Sequence, residues 1–148
     1  MTAREILQSV RTILVIDWPS KDVPESLARA GFEAIIRGGP GPEDFSAYEL
    51  KGDAVVPRRT GRVPVKVDLV YSYRPLSELP GISDLALKLH AKIIWSQSGV
   101  LPNGTKDAKG CWLSPDDLSA SRALVEGAGL TFVYEPYIGD VARELQPA

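Results

Sequence analysis

Val67 to Gly99 reads VDLVYSYRPLSELPGISDLALKLHAKIIWSQSG, and its three parts decide the fold. Val67-Asp68-Leu69-Val70-Tyr71-Ser72-Tyr73 is rich in β-branched and aromatic residues, which suit a pleated strand, and Arg74-Pro75 ends it because proline removes a ladder donor. From Ile82 the apolar positions Ile82, Leu85, Ala86 and Leu89 recur at helical spacing and form one stripe able to lie on a sheet, closed by His90. Ala91-Lys92-Ile93-Ile94-Trp95 is a short apolar run of the kind a strand buried on both faces shows, ending in Ser96-Gln97-Ser98-Gly99. Strand, helix and strand make one right-handed βαβ unit, so Tyr73-Arg74 and Gln97-Ser98-Gly99 are expected on the same edge of a parallel sheet. In open parallel sheets that edge is where ligands bind.

Working outward, Thr2 and Glu5 form a capping box for a short helix whose apolar face is Ile6, Leu7 and Val10. Thr12-Ile13-Leu14-Val15-Ile16-Asp17 is the clearest buried strand and is expected at the centre of the sheet. Asp22 with Glu25 reads as a second capping box for a helix from Val23 to Ala30, stopped by Gly31, and Glu33 to Arg37 is the next strand. From about 43 to 66 the pattern changes to a small hairpin, with Lys51-Gly52-Asp53 at its turn, expected to project from the parallel sheet. Val100 to Leu113 is a long loop, Ser114-Pro115-Asp116-Asp117 is a strong helix start, and Leu118, Ser121, Arg122 and Val125 trace that helix's face. Leu130 to Glu135 is the last strand and Asp140 to Leu145 a terminal helix. The expectation is a single α/β domain over residues 1–148, a three-layer, doubly wound parallel sheet, Rossmann-like, with five main strands in the order 3-2-1-4-5 and an added β-hairpin. The alternative is the flavodoxin-like order 2-1-3-4-5.

At 148 residues, with 44% apolar and 24% charged side chains, the chain is long enough for a genuine core and too apolar for disorder. A net charge of −2 offers no global attraction to nucleic acid or anionic lipid, and no apolar run approaches a membrane span. A single cysteine, Cys111, excludes a disulfide framework and favours a reducing compartment, so a cytoplasmic location is expected. One histidine, one cysteine and no ligand-spaced carboxylates give no metal site, and no catalytic residue is assigned. His90 reads as a cation at a helix end rather than a base, and Cys111 beside Trp112 as a packing residue rather than a nucleophile.

Phosphate binding is the stronger chemistry. A dinucleotide fingerprint needs G-x-G-x-x-G after the first strand, but Trp18-Pro19-Ser20 stands there, which counts against a third reading as an NAD(P)-dependent enzyme. Arg37-Gly38-Gly39 leaves the second strand with glycines that could shape an anion nest as well as a simple turn. Arg58, Arg59, Arg62 and Lys66 form the most basic patch, suited to phosphates or, equally, to an edge that discourages aggregation. Tyr73-Arg74 supplies a ring and a guanidinium, which suit an adenine or a phosphate, although Tyr73 also suits a core. Gln97-Ser98-Gly99 could line the same crevice or simply make a tight turn.

These residues resemble a family, the small bacterial CoA-binding proteins similar to the N-terminal CoA-binding domain of the succinyl-CoA synthetase alpha chain. The aromatic-arginine pair Tyr73-Arg74, the run Leu79-Pro80-Gly81-Ile82, then Trp95, Gln97 and Gly99, and later Gly127-Ala128-Gly129-Leu130 occupy matching places. The resemblance spans Thr12 to Leu145 and is densest from Val67 onward. It departs at the first loop, where the family has a longer Gly/Ser-rich phosphate cradle with a proline and an arginine, and at the added hairpin. The resemblance implies non-catalytic binding of CoA or a related adenine nucleotide, with Tyr73, Arg74, Gln97 and Gly99 in matching places; the site expected from the residues themselves adds Ser98 and, around the phosphates, Trp18, Pro19, Ser20, Arg37, Gly38 and Gly39. The rival expectation is a degenerate Rossmann module that acts through protein contacts, including a homodimer through the hairpin.

Overall fold

The computed structural model describes residues 2–16, 22–37, 44–97 and 113–146. Helix α1 (Ala3–Gln8) begins under the expected capping box: Thr2 Oγ1 accepts from the Glu5 N–H at 3.1 Å, and Glu5 Oε1 accepts from the Thr2 N–H at 3.3 Å. The chain then alternates strand and helix through β1 (Thr12–Ile16), α2 (Asp22–Arg29) and β2 (Glu33–Arg37). It makes the hairpin β3 (Phe45–Lys51) and β4 (Ala54–Arg59), then continues through β5 (Leu69–Ser72), a 3₁₀ turn at Leu76–Glu78, α3 (Leu79–Lys88) and β6 (Ile93–Ser96). The described chain closes with α4 (Pro115–Gly127), β7 (Thr131–Val133) and α5 (Ile138–Glu144).

All seven strands form one sheet in the order β4-β3-β2-β1-β5-β6-β7. β2, β1, β5, β6 and β7 run parallel, while β3 is antiparallel to both β2 and β4. Two expectations are corrected. The five parallel strands stand in the order 2-1-3-4-5 rather than 3-2-1-4-5, because β3 takes the free edge of β2 and β5 is left to pair on the far side of β1. For the same reason the hairpin does not project; it widens the sheet, turning at Gly52 with φ +61°, which the two-residue connection between Lys51 and Ala54 requires.

Helices cover both faces of the sheet's centre. On one, Ile13, Val15, Leu69, Tyr71 and Trp95 pack with Leu7 of α1, Val23 and Leu27 of α2, and Ile138 and Val141 of α5. On the other, Leu14, Ile16, Val70 and Ile94 pack with Leu79, Ile82 and Ala86 of α3 and Val125 of α4. This alternation along β1 and β5 follows from the two-residue period of a strand and explains why their sequences read as continuous apolar runs. The α4 face is narrower than expected: Ser121 and Val125 are buried, but Arg122 is exposed. His90 lies just beyond α3 with φ +60°, and its N–H donates to the Leu87 carbonyl, so it serves as the left-handed residue that ends the helix.

Asp68 aligns the two central strands. Its Oδ2 accepts from the Arg11 and Thr12 N–H groups at 2.9 and 3.0 Å, and its own N–H donates to the Thr12 carbonyl at 2.8 Å. Burial by itself raises this carboxyl, but the Thr12 and Arg11 N–H groups and the Lys66 and Arg11 cations outweigh it and hold the group below the usual aspartate value. A carboxylate depressed on folding contributes stability that is complete above its unfolded value and disappears as pH falls through its folded value. Asp68→Asn is therefore expected to cost about 1 kcal/mol at neutral pH. The gap to wild type should begin to narrow below about pH 4 and shrink further as pH falls, as read from urea midpoints across an acid series. A gap that stays constant with pH would refute this role.

Candidate functional site

The carboxyl ends of the parallel strands bring Arg37, Tyr73, Arg74 and Gln97 to one rim. Ser72 and Ser96 are register partners, the Gln97 N–H donates to the Ser72 carbonyl at 3.0 Å, and the Tyr73 N–H donates to the Ile16 carbonyl at 3.1 Å. Tyr73, Arg74 and Gln97 thus follow adjacent strands on the same side of the sheet. Arg37 ends β2 next to Ile16, completing a rim that runs over β2, β1, β5 and β6. Trp18, Pro19, Ser20, Gly38, Gly39, Ser98 and Gly99 lie outside the described residues, as do Cys111 and Trp112.

Arg74 is held by a neighbour the sequence reading passed over. Its Nε and Nη2 form a fork on Glu78, with Nη2 at 2.6 Å from Oε2. The Arg74 hydrogen bond outweighs the opposing effect of burial and, with the weaker positive fields of Arg74 and Arg37, holds the Glu78 carboxyl below its ordinary value. Glu78 therefore faces two arginines. The pair's side chains are 37% and 41% exposed, so water screens it and its purpose is orientation rather than stability. The four-residue spacing of Arg74 and Glu78 was the signal that could have revealed it.

Gln97 has a different geometry from a ligand-facing side chain. It is fully buried, its Nε2 donates to the carbonyls of Pro136 and Tyr134 at 2.8 and 3.2 Å, and its Oε1 accepts from the Ile138 N–H at 3.1 Å. Trp95 Nε1 also donates to the Pro136 carbonyl, at 3.2 Å. Together they fasten the end of β6 to the turn leading into α5, where the Glu135–Pro136 peptide is cis. Tyr73 is half-buried and leans on the core beneath α2 and α5.

The start of α2 is tied to α5. Tyr137 Oη donates to an Asp22 carboxylate oxygen, while Arg143 bonds Asp22 at 3.0 Å and Asp140 at 2.7 Å and stands over the Tyr137 ring. Burial and then the Asp22 carboxylate push the Tyr137 phenol well above the usual tyrosine range, so it remains a protonated donor. Asp22 was expected to pair with Glu25 in a capping box; it is instead the first helical residue, with a long-range partner. A carboxylate thus already stands at the helix start that an incoming phosphate would otherwise favour. Among the described residues, Arg37 and Arg74 bring positive charge to the rim. Among the described residues no three histidine, cysteine, aspartate or glutamate side chains cluster to hold a metal, and no helix is long and apolar enough to cross a membrane.

No protein-family model matches the chain, and no curated protein does. Solved structures share its fold. The crystal structure of Prb, a PH1109 protein redesigned for binding, is 18% identical with a TM-score of 0.61 over 96% of this chain and 88% of that one. The structure of cell-free ID.343 from Thermus thermophilus is 19% identical with a TM-score of 0.58, covering 96% of this chain and 95% of the other. At these identities the likeness establishes a common α/β architecture.

Proposed function

We propose that this protein binds CoA or a related adenine nucleotide, without catalysis, at the carboxyl ends of β2, β1, β5 and β6. The observation that carries the reading is that Arg37 and Arg74 both act on Glu78 at a rim of adjacent parallel strands from which Tyr73 also leaves the sheet. Two guanidiniums suit a diphosphate, and an aromatic ring on the same rim suits a base. Trp18-Pro19-Ser20 and Gly38-Gly39 come soon after β1 and β2 in the chain, and Ser98-Gly99 follow Gln97; on this reading they supply further contacts. Gln97 acts by holding the end of β6 in place rather than by touching the ligand.

A second reading, a module acting through protein contacts, is favoured by the inward commitments of Gln97 to backbone and of Arg74 to Glu78. Isothermal titration with CoA, acetyl-CoA and ATP separates the two. One-site binding of CoA in the micromolar range, and CoA retained on the native purified protein by mass spectrometry, are the expected results. Absence of heat at millimolar CoA and ATP overturns the first reading in favour of the second.

A further inference from the structure

A second concave site lies away from the strand-end rim, and it arises from an unusual crossover. β4 runs parallel to β2, so Arg59 leaves the sheet at the rim end, where the Thr60 N–H donates to the Phe45 carbonyl. β5 begins at the opposite end, beyond β1, with the Val67 N–H on the Leu89 carbonyl and Asp68 on Thr12. Parallel strands are usually joined by a helix that covers the sheet face it crosses. Here residues 60–66 make the crossing without one. The helix packed against β2, β3 and β4 is α2, on the opposite face. Ile35 and Ala47, register partners on the crossed face, are 7% and 1% exposed, and between them and the strap is a cavity of about 510 Å³.

Three cations stand around that apolar floor: Arg58 from β4, and Arg62 and Lys66 from the strap. Arg59 borders the hollow, but as the register partner of Ser46 it presents its side chain to the other face. Glu33 lines it as well. Arg58 is the register partner of Ala47. Its Nε binds Glu49 at 2.7 Å, and Arg59 Nη2 binds Asp44 at 3.1 Å. The Glu49 pair uses one N–H of a group that has five, so it orients the Arg58 guanidinium and leaves a donor edge available. Arg62 has no acidic partner among the described residues. An edge strand protected from aggregation would explain Arg58 and Arg59, but not the strap cations gathered on the same hollow.

We infer that this hollow is a binding site for a small organic anion, a phosphate or carboxylate whose apolar body rests on Ile35 and Ala47 while Arg58, Arg62 and Lys66 take the charge. Its volume lies within the roughly 300 to 1,000 Å³ of small-molecule sites. A nucleic acid would use the charge and leave the buried floor unused.

The test compares 2-naphthyl phosphate, 2-naphthol, inorganic phosphate and heparin by calorimetry, with amide shifts locating the contact. The site predicts that 2-naphthyl phosphate binds roughly tenfold or more tighter than either 2-naphthol or inorganic phosphate, since it alone satisfies both floor and cations. Its shifts should fall at Ala47, Arg58, Arg62 and Val65. Val65 is 86% exposed and Arg62 is also exposed, so Val65→Glu and Arg62→Ala should leave the melting temperature unchanged while each weakens 2-naphthyl phosphate severalfold. Arg74→Ala should leave this binding intact, and Arg62→Ala should leave CoA binding intact, so the two sites succeed or fail separately. Equal affinity for 2-naphthol, equal affinity for inorganic phosphate, heparin binding without naphthyl phosphate binding, or shifts confined to Tyr73 and Arg74 would each overturn the proposal.

Discussion

Replacing Gln97 with leucine is expected to remove about 3 to 5 kcal/mol of stability, lowering the melting temperature by roughly 10 °C or more. Leucine fills a similar space, so the loss comes from hydrogen bonding rather than from a cavity. The Ile138 N–H and the Tyr134 carbonyl lose the amide that now satisfies them, and Pro136 keeps only the Trp95 indole. Because the site is fully buried, water cannot replace the amide without opening the turn between β7 and α5. Gln97→Glu should be comparably damaging at neutral pH, since it preserves the acceptor for Ile138 but turns a carboxylate toward two carbonyls. Urea unfolding checks both variants; a loss below about 1 kcal/mol for leucine would show that the network is not a structural clasp.

The second large effect concerns the ligand. Arg74→Ala is expected to weaken CoA by about tenfold or more, the amount that one charge-assisted guanidinium–phosphate contact supplies. Glu78→Gln should do the opposite. It loosens the orientation of Arg74, but it also removes a negative charge from beside an anionic ligand, and at an exposed rim the field outweighs the lost fork. Severalfold tighter binding, with a steeper dependence on salt, is the expected outcome, and Glu78→Gln should leave the urea midpoint nearly unchanged. Weaker CoA binding in Glu78→Gln would mean that the fork is what presents Arg74 to the ligand.

Local signals in the chain were reliable where the physics is local. The strand and helix periodicities of Val67 to Gln97 gave a parallel βαβ unit, and the oxygens of Thr2 and Ser114 cap α1 and α4 where their spacing placed them. Strand order was less legible, because it depends on which edge of β2 the hairpin claims, and no periodicity within Phe45 to Arg59 records that competition. The fate of Gln97 was hidden for a similar reason: its partners lie some forty residues later, in a turn whose return to β6 is set by the whole sheet. Asp22 misled in the same way, since its partner Tyr137 is 115 residues away. Arg74 with Glu78, by contrast, was readable as a four-residue pair.

Pro57 gives β4 a further property. It sits mid-strand opposite Tyr48, and a proline is tolerated in such a position where its missing donor faces outward from the edge. A second chain laid alongside β4 would meet an interrupted ladder and the adjacent Arg58 and Arg59 charges, so runaway strand-by-strand polymerisation is blocked at this margin. Self-association that uses the hairpin must go through its broad surfaces, which makes it a finite pairing rather than a growing ribbon.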